Sequence, residues 1–296
     1  MELKAYLNQK RNRVEEMLIG LLLEPQEPSR DLFKAMQYSL FAGGKRLRPI
    51  LCLAGSDAVG GDEGVVLPVA CALELIHTYS LIHDDLPSMD DDDFRRGKPT
   101  NHKVFGEAPA ILAGDGLLTE AFRLMASSDL KSRVKPEVLL DVIATIAEAA
   151  GHRGMVGGQA VDIQSEGRVV EPSVVEFIHT HKTGALIAAS VTAGALLGGG
   201  EEQQLQAIGR YGRKIGLAFQ IADDILNIEG DSQELGKAVG SDHQKGKITY
   251  PGVFGLNASK QTQRELVDSA VNILAGFDHR ADPLRQIASY IIERNV

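Results

Sequence analysis

The sequence contains no tryptophan, few other aromatic residues and only two cysteines. Aromatic residues make up 5% of the 296 positions, and Cys52 and Cys71 both have apolar neighbours. We therefore expect two reduced core thiols, not a disulfide or a metal pair. The N-terminus lacks the basic segment and apolar run of a secretory signal, and no run of about 18 uninterrupted apolar residues follows it. These absences predict a cytoplasmic protein without stable membrane insertion.

An excess of positive charge and several well-known catalytic signatures are also missing. The formal net charge of −9 argues against nonspecific binding of nucleic acid. The sequence has no Gly-x-x-x-x-Gly-Lys-Ser/Thr loop and no Gly-x-Gly-x-x-Gly turn after a strand, which disfavours nucleotide hydrolysis. It also lacks the Gly-x-Ser-x-Gly motif of serine hydrolases and the His-Glu-x-x-His motif of zinc proteases.

Helical periodicity dominates the sequence. Apolar residues recur at intervals of three and four positions, and no series of short alternating strands bounded by turns is seen. Because 44% of the residues are hydrophobic and no polar linker divides the chain, we predict a large single-domain, all-α bundle over residues 1–296. Glycine pairs or triplets occur at Gly43-Gly44, Gly60-Gly61, Gly157-Gly158 and 198–200, and several of these are expected at helix ends or in loops near a ligand. The predicted helical segments are 31–41, 66–83, 108–125, 136–149, 173–197, 205–228 and 260–274.

A first acidic cluster occupies residues 84–93, which read Asp-Asp-Leu-Pro-Ser-Met-Asp-Asp-Asp-Asp. An isolated acidic run is usually a solvated surface. This run directly follows a mostly apolar helix, which Pro87 should end just after Asp84 and Asp85. Because the helix dipole disfavours negative charge at a helix C-terminus, we expect a cation to offset these two aspartates.

A second acidic cluster lies inside the helix predicted over 205–228. Gln220, Asp223, Asp224 and Asn227 fall on one stripe about 100° wide. Such a stripe can simply face water, but the rest of this segment is apolar, which favours the lining of a cavity. Two carboxylate clusters without nearby cysteine suit Mg²⁺, which binds through a few carboxylates together with substrate phosphates. The pattern therefore favours phosphate chemistry.

Basic residues provide the matching cations. They occur in four clusters, residues 43–49, 95–98, 181–184 and 237–247, and several of these contain glycine. Arginine offers a bidentate fork to phosphate, and lysine offers a mobile point charge. Each cluster alone is typical of a solvated surface, but together they indicate ligands for a diphosphate.

Together, these motifs resemble those of the trans-prenyltransferases, and within them the bacterial farnesyl diphosphate synthases. The resemblance covers most of the chain. It implies the all-helical isoprenoid synthase fold with a central active-site cavity, a homodimer, and three magnesium ions that hold an allylic diphosphate. The implied reaction joins isopentenyl diphosphate head to tail with dimethylallyl or geranyl diphosphate to give farnesyl diphosphate. The matching stretches are GGKRLRP (43–49), ELIHTYSLIHDDLPSMDDDDFRRGKPTNH (74–102), ILAGDGLL (111–118), GGQAVD (157–162), HKTGAL (181–186), GLAFQIADDILNIEGD (216–231) and LGKAVGSDHQKGKITYP (235–251).

The resemblance also implies roles for single positions. The expected ligands of isopentenyl diphosphate are Lys45, Arg48, His77 and Arg96. The expected metal ligands are Asp84, Asp85, Asp90, Asp223 and Asp224, and the catalytic set is Asp84, Asp90, Asp223 and Lys182. The groups expected near the allylic diphosphate are Arg95, Lys182, Thr183, Gln220, Lys237 and Lys247. Asn227 stands where the family commonly has aspartate, so this position keeps an oxygen and loses a charge.

Product length is expected to depend on the helix that ends at the first acidic cluster. Helical geometry places Ser80 on nearly the same face as Asp84, whereas the resemblance favours Tyr79, an aromatic residue five positions before that aspartate. Three other functions stay open. The chain can be a geranylgeranyl diphosphate synthase, a terpene cyclase, or a non-catalytic protein of the same fold. A cyclase would have no use for acceptor ligands such as Lys45.

Overall fold

The computed structural model describes residues 2–22, 28–229 and 247–293. In these ranges the chain is a bundle of α-helices, which confirms the predicted all-α class. The helices are α1 (Leu3–Leu21), α2 (Arg30–Leu40), α3 (Leu47–Val59), α4 (Glu63–Asp84), α5 (Asn101–Phe105), α6 (Glu107–Met125), α7 (Ser128–Arg133), α8 (Pro136–Ala150), α9 (Met155–Ser165), α10 (Pro172–Ile178), α11 (Ala185–Leu197), α12 (Glu202–Glu229), α13 (Tyr250–Phe254), α14 (Leu256–Ile273) and α15 (Asp282–Glu293).

Three short elements interrupt this pattern. A π-helical segment, His179–Gly184, joins α10 to α11, so that the three run on without a loop. A two-stranded antiparallel ribbon pairs β1 (Phe94–Arg95) with β2 (Lys98–Pro99) directly after the first acidic cluster. A 3₁₀ turn, His279–Ala281, leads into α15.

The centre of the bundle is formed by α4 and α11. Helix α4 packs against α3 and α6, and α11 packs against α3, α8 and α12. By length and composition alone, α4 is apolar enough to cross a membrane, with a mean hydropathy of 1.8 over 18 residues, but 78% of that window is buried inside the protein. Its apolar surface is therefore covered by neighbouring helices, as expected for the core helix of a bundle.

The ends of α4 follow from local chemistry. The Asp62 carboxylate caps its first turn by accepting a hydrogen bond of 2.9 Å from the Gly64 N–H. The helix ends at Asp84, three residues before Pro87, as the sequence predicted. The two cysteines are core thiols, as predicted. Cys52 on α3 and Cys71 on α4 are both free and fully buried, and burial raises the pKa of each.

Candidate active site

The first acidic cluster brings two aspartates and three cations into one space. Asp84 is half-buried, and this burial raises the pKa of its carboxyl to about 6. The negative charge of Asp90 raises it further, whereas Lys182, Arg95 and Lys247 lower it. Residues 84–95 supply three of these five side chains, and Lys182 and Lys247 come from distant parts of the sequence to within electrostatic reach of Asp84.

A tight turn after α4 returns Asp90 to Asp84. The Asp90 N–H donates a hydrogen bond of 2.8 Å to the Asp84 carbonyl oxygen, and Asp91 adopts the left-handed conformation with φ 49°. The Lys247 ammonium, three residues before α13, lies 3.1 Å from Asp90 Oδ2. The turn therefore places two carboxylates and a cation together at the C-terminal end of α4.

Asp85 is arranged differently from the prediction. We expected it among the metal ligands, but it is only 3% exposed and forms a bidentate ion pair with Arg95. Arg95 Nε lies 2.7 Å and 2.9 Å from the two carboxylate oxygens, and Arg95 Nη2 lies 2.6 Å from one of them. Arg95, which we expected at the allylic diphosphate, is thus held in an ion pair with Asp85. This is the cation that offsets negative charge at the end of α4.

The π-helical segment presents Lys182 and Thr183. Lys182 Nζ lies 2.6 Å from Asp162 Oδ2 on α9, and the Thr183 hydroxyl donates a hydrogen bond of 2.8 Å to Gln220 Oε1 on α12. A side chain at Gly158 would collide with the Lys182 backbone. Gly158 lies in the first turn of α9, where it lets that helix approach the π-helical segment closely.

The predicted polar stripe of α12 divides into two environments. Asp223 is exposed, Gln220 and Asn227 are half-buried, and Asp224 is only 5% exposed. Both oxygens of Asp224 accept hydrogen bonds from protein groups, among them His179 Nε2 at 2.7 Å. Asp224 was expected to bind metal, but its position is that of a structural acceptor between helices. Asp223, by contrast, lies on the exposed side of α12.

A second set of predicted ligands lines a cavity of about 990 Å³ between α1, α3, α4 and α15. Its walls include all four side chains expected to bind isopentenyl diphosphate, which are Lys45, Arg48, His77 and Arg96. The far wall is apolar and includes Phe219, Ile287 and Ile291. The cavity thus combines cations with apolar surface, as a prenyl diphosphate requires.

Burial and mutual repulsion perturb the cations of this cavity. Burial lowers the pKa of Arg48 to about 10, and the charge of Arg96 lowers it further, while Glu74 and Asp223 oppose the shift. Burial and the charges of Arg48 and Arg96 hold the pKa of His77 well below its ordinary value, so its imidazole is neutral near pH 7. Among the described residues, no protein group pairs with Arg48 Nε or His77 Nδ1, although both atoms are buried. An anion in the cavity would relieve this cost.

Arg46 belongs to the basic cluster of residues 43–49, but the resemblance gave it no ligand role, and the structure pairs it with two glutamates. Arg46 is 2% exposed, and its guanidinium is engaged by two glutamates, with Nη1 2.7 Å from Glu74 Oε1 and Nε 2.7 Å from Glu15 Oε1. Its backbone adopts the left-handed conformation with φ 50°, so its side chain leaves the chain in a different direction from those of its neighbours. Sequence reasoning also missed Asp162 as the partner of Lys182, although the GGQAVD stretch contained it.

The two candidate length determinants occupy different surroundings. Tyr79 is 7% exposed, and its ring lies edge-to-face against His83 with the ring centroids 5.7 Å apart. Burial and the nearby charge of Asp84 raise the Tyr79 pKa to about 12. The Ser80 hydroxyl donates a hydrogen bond of 2.9 Å to the His77 carbonyl oxygen. The bulky side chain is thus at Tyr79, one turn below the acidic cluster.

The residues at the acidic cluster fit a magnesium ion that is shared with a substrate. Within the described ranges, no three His, Cys, Asp or Glu side chains converge closely enough to hold an ion by themselves. Magnesium usually binds through one or two carboxylates together with substrate phosphates, so Asp84 and Asp90 suffice. The raised pKa of Asp84 shows that this carboxylate lacks full compensation for its charge, which a divalent cation would supply. Lys237 lies outside the described residues.

Comparison with known proteins identifies the family. A sequence model of the polyprenyl synthetase family matches residues 29–287. The farnesyl diphosphate synthase of Geobacillus stearothermophilus is 49% identical over 295 residues, which cover 100% of this chain and 99% of that protein. The geranylgeranyl diphosphate synthase of Cyanophora paradoxa is 46% identical over 294 residues, covering 99% and 97%. A solved structure of an FPP/GFPP synthase from Zymomonas mobilis superimposes with a TM-score of 0.87 at 39% identity and covers 98% of both chains. Because these matches span nearly the whole sequence, the chain belongs to the polyprenyl synthetase family and is a trans-prenyltransferase.

Proposed function

We propose that this enzyme joins isopentenyl diphosphate head to tail with dimethylallyl diphosphate and then geranyl diphosphate, and releases farnesyl diphosphate. The observation that carries the proposal is the position of two diphosphate-binding environments beside each other. The charge of Asp223, on the acidic side, acts on Arg48, on the side of the 990 Å³ cavity. We further propose that the enzyme is a cytoplasmic homodimer of single-domain chains spanning residues 1–296.

The cavity is assigned to isopentenyl diphosphate. Lys45, Arg48 and Arg96 supply cations, and neutral His77 can donate one ring N–H to a phosphate oxygen. No metal ligand is needed on this side, because the cations already exceed the single buried carboxylate of Glu74. The cavity therefore holds the acceptor before and during reaction.

The acidic side is assigned to the allylic diphosphate. Asp84, Asp90 and Asp223 are the proposed ligands of three Mg²⁺ ions, whereas Asp85 and Asp224 are not included because both are engaged by protein groups. Magnesium bound there with the substrate would neutralise the negative charge that develops on the departing diphosphate. Lys182 and Lys247 face the same space and can add their charges to that group.

The chain's own residues bind, orient and shield the reacting groups. Cleavage of the allylic carbon–oxygen bond leaves a carbocation, so no protein nucleophile is required. The alkene of isopentenyl diphosphate attacks this carbon, and a proton then leaves to the released diphosphate. Water would capture the cation, and the apolar residues of the cavity wall, such as Phe219, exclude it.

Relatives with 46% to 49% identity include synthases named for farnesyl diphosphate and for geranylgeranyl diphosphate, so similarity alone does not assign the product length. We assign the fifteen-carbon product because the Tyr79 ring is buried one turn below Asp84, where a growing chain would meet it. Geranylgeranyl diphosphate is the second candidate.

Measurement of diphosphate release separates prenyl transfer from cyclisation. The enzyme is incubated with geranyl diphosphate and Mg²⁺, with and without isopentenyl diphosphate, and inorganic diphosphate is measured. We expect rapid release only when both substrates are present, and none in excess chelator. Release from geranyl diphosphate alone would indicate a cyclase, and full turnover in chelator would overturn the metal assignment.

A further inference from the structure

Asp224, in the second acidic cluster, accepts hydrogen bonds from three protein groups. Its Oδ2 accepts from His179 Nε2 and from the Tyr250 backbone N–H, both at 2.7 Å. Its Oδ1 accepts from Gln220 Nε2 at 3.1 Å. An ionised carboxylate has about four lone-pair positions, so these three donors, in a site 5% exposed, leave little room for a metal ion.

The charge of Asp224 fixes the direction of a longer hydrogen-bond chain. Because a carboxylate only accepts, the group of Gln220 that faces it must be the NH₂. The Gln220 carbonyl oxygen then faces Thr183, and the Thr183 hydroxyl must donate its hydrogen to that oxygen, 2.8 Å away. The orientation of the Thr183 hydroxyl in the π-helical segment is therefore determined by Asp224 through two successive hydrogen bonds.

The same carboxylate also anchors the backbone that enters α13. Tyr250, whose N–H it accepts, lies three residues after Lys247, and Lys247 contacts Asp90 at 3.1 Å. His179, the other donor, begins the π-helical segment that presents Lys182 and Thr183. Asp224 thus ties together the two chain segments that supply cations to the acidic side.

We propose that Asp224 is a positioning residue of the allylic site and not a metal ligand. It acts by orienting Gln220 and Thr183 and by holding the backbone at Tyr250. This inference deepens the proposed function and rests on it for the identity of the substrate. The role assigned to Asp224 differs from that of its neighbour Asp223, although both belong to one acidic motif.

Metal affinity gives a test that does not depend on turnover. Binding of Mn²⁺ in the presence of inorganic diphosphate is measured by electron paramagnetic resonance for Asp223→Asn and Asp224→Asn, which carry the same chemical change at adjacent positions. We expect the Mn²⁺ dissociation constant to rise about tenfold or more for Asp223→Asn and to stay within about twofold for Asp224→Asn. An equal rise in both variants would overturn the proposal. Since this test needs no catalysis, its failure is distinct from failure of the prenyl-transfer assignment.

A double-mutant cycle distinguishes positioning from a purely structural role. In Asp224→Asn the Gln220 amide turns over, so that its NH₂ faces Thr183 and reverses the bond. We expect the KM for geranyl diphosphate to rise about tenfold while that for isopentenyl diphosphate changes less than about twofold. In a Thr183→Val background the same substitution should have a several-fold smaller effect. Full additivity of the two changes would refute the proposed relay. If Asp224→Asn does not fold, Gln220→Met interrupts the same chain and should give the same KM split.

Discussion

Replacing Asp84 by asparagine is expected to stabilise the metal-free enzyme while removing its activity. The Asp84 carboxylate is half-buried beside Asp90, and burial raises its pKa to about 6. At neutral pH the folded protein therefore carries an ionised group in a place that disfavours its charge. Asparagine has nearly the same shape and no charge, so it removes this penalty together with the metal ligand.

The size and pH dependence of the gain follow from proton linkage. A pKa raised from 3.8 to about 6 corresponds to about 3 kcal/mol at pH values above 6. Relaxation of the neighbouring charges reduces this figure, so we expect Asp84→Asn to gain about 1 to 3 kcal/mol. For an acid with a raised folded pKa, the penalty is absent below the unfolded pKa and complete above the folded pKa. The gain should therefore be largest near pH 7.5, about half as large at pH 5, and absent below about pH 4.

Thermal unfolding in excess chelator measures this difference. We expect the Tm of Asp84→Asn to exceed that of the unsubstituted enzyme by about 2 to 6 °C near pH 7.5. Asp141→Asn, at an exposed position of α8, is the matched control and should leave Tm unchanged. Adding Mg²⁺ with inorganic diphosphate should raise Tm for the unsubstituted enzyme but not for Asp84→Asn. An Asp84→Asn variant that is less stable than the parent enzyme at pH 7.5 and at pH 5 would refute the reasoning.

Three further predictions concern the product, the acceptor and the π-helical segment. Tyr79→Ala should shift the main product from fifteen carbons to twenty or more, measured by chromatography of the dephosphorylated alcohols, and an unchanged product would place the length determinant elsewhere. Arg48→Ala should raise the KM for isopentenyl diphosphate about tenfold more than that for geranyl diphosphate, and equal increases would contradict its assignment to the acceptor. Gly158→Ala should lower kcat about tenfold or more, because the new methyl group collides with the Lys182 backbone, whereas Gly20→Ala, which meets no atom within 4 Å, should not. A Gly158→Ala enzyme with unchanged kcat would show that the approach of α9 is not needed.

The helices were predictable because their burial leaves a regular mark on the sequence. The segment predicted over 66–83 is α4, Glu63–Asp84, and that predicted over 205–228 is α12, Glu202–Glu229. Helix α4 is apolar on most of its surface and α12 is apolar along one face, and these surfaces pack into the bundle. The π-helical segment could not be predicted, because one extra residue in a turn has no periodic signature. It depends on contacts with Gly158 and Gly216, which are distant in sequence.

The different roles of residues that lie close together in one motif were the hardest to predict from the sequence. Asp223 and Asp224 fall on one predicted stripe, yet only Asp224 is covered, because α13 and the π-helical segment pack against its side of α12. Likewise, Arg46 and Arg48 belong to one basic cluster, and the structure pairs Arg46 with Glu15 and Glu74. Neighbouring elements that come from far along the chain decide these differences, and no local pattern records them.

The most direct test of the central claim is the identity of the product formed from isopentenyl diphosphate and geranyl diphosphate. The purified enzyme is incubated with both substrates and Mg²⁺, the products are dephosphorylated, and the alcohols are separated and identified by mass spectrometry. The two-site arrangement of the acidic cluster and the cationic cavity predicts farnesol as the main alcohol, with one isopentenyl unit consumed for each geranyl unit. Geraniol or a cyclised hydrocarbon as the main product, without consumption of isopentenyl diphosphate, would contradict the account.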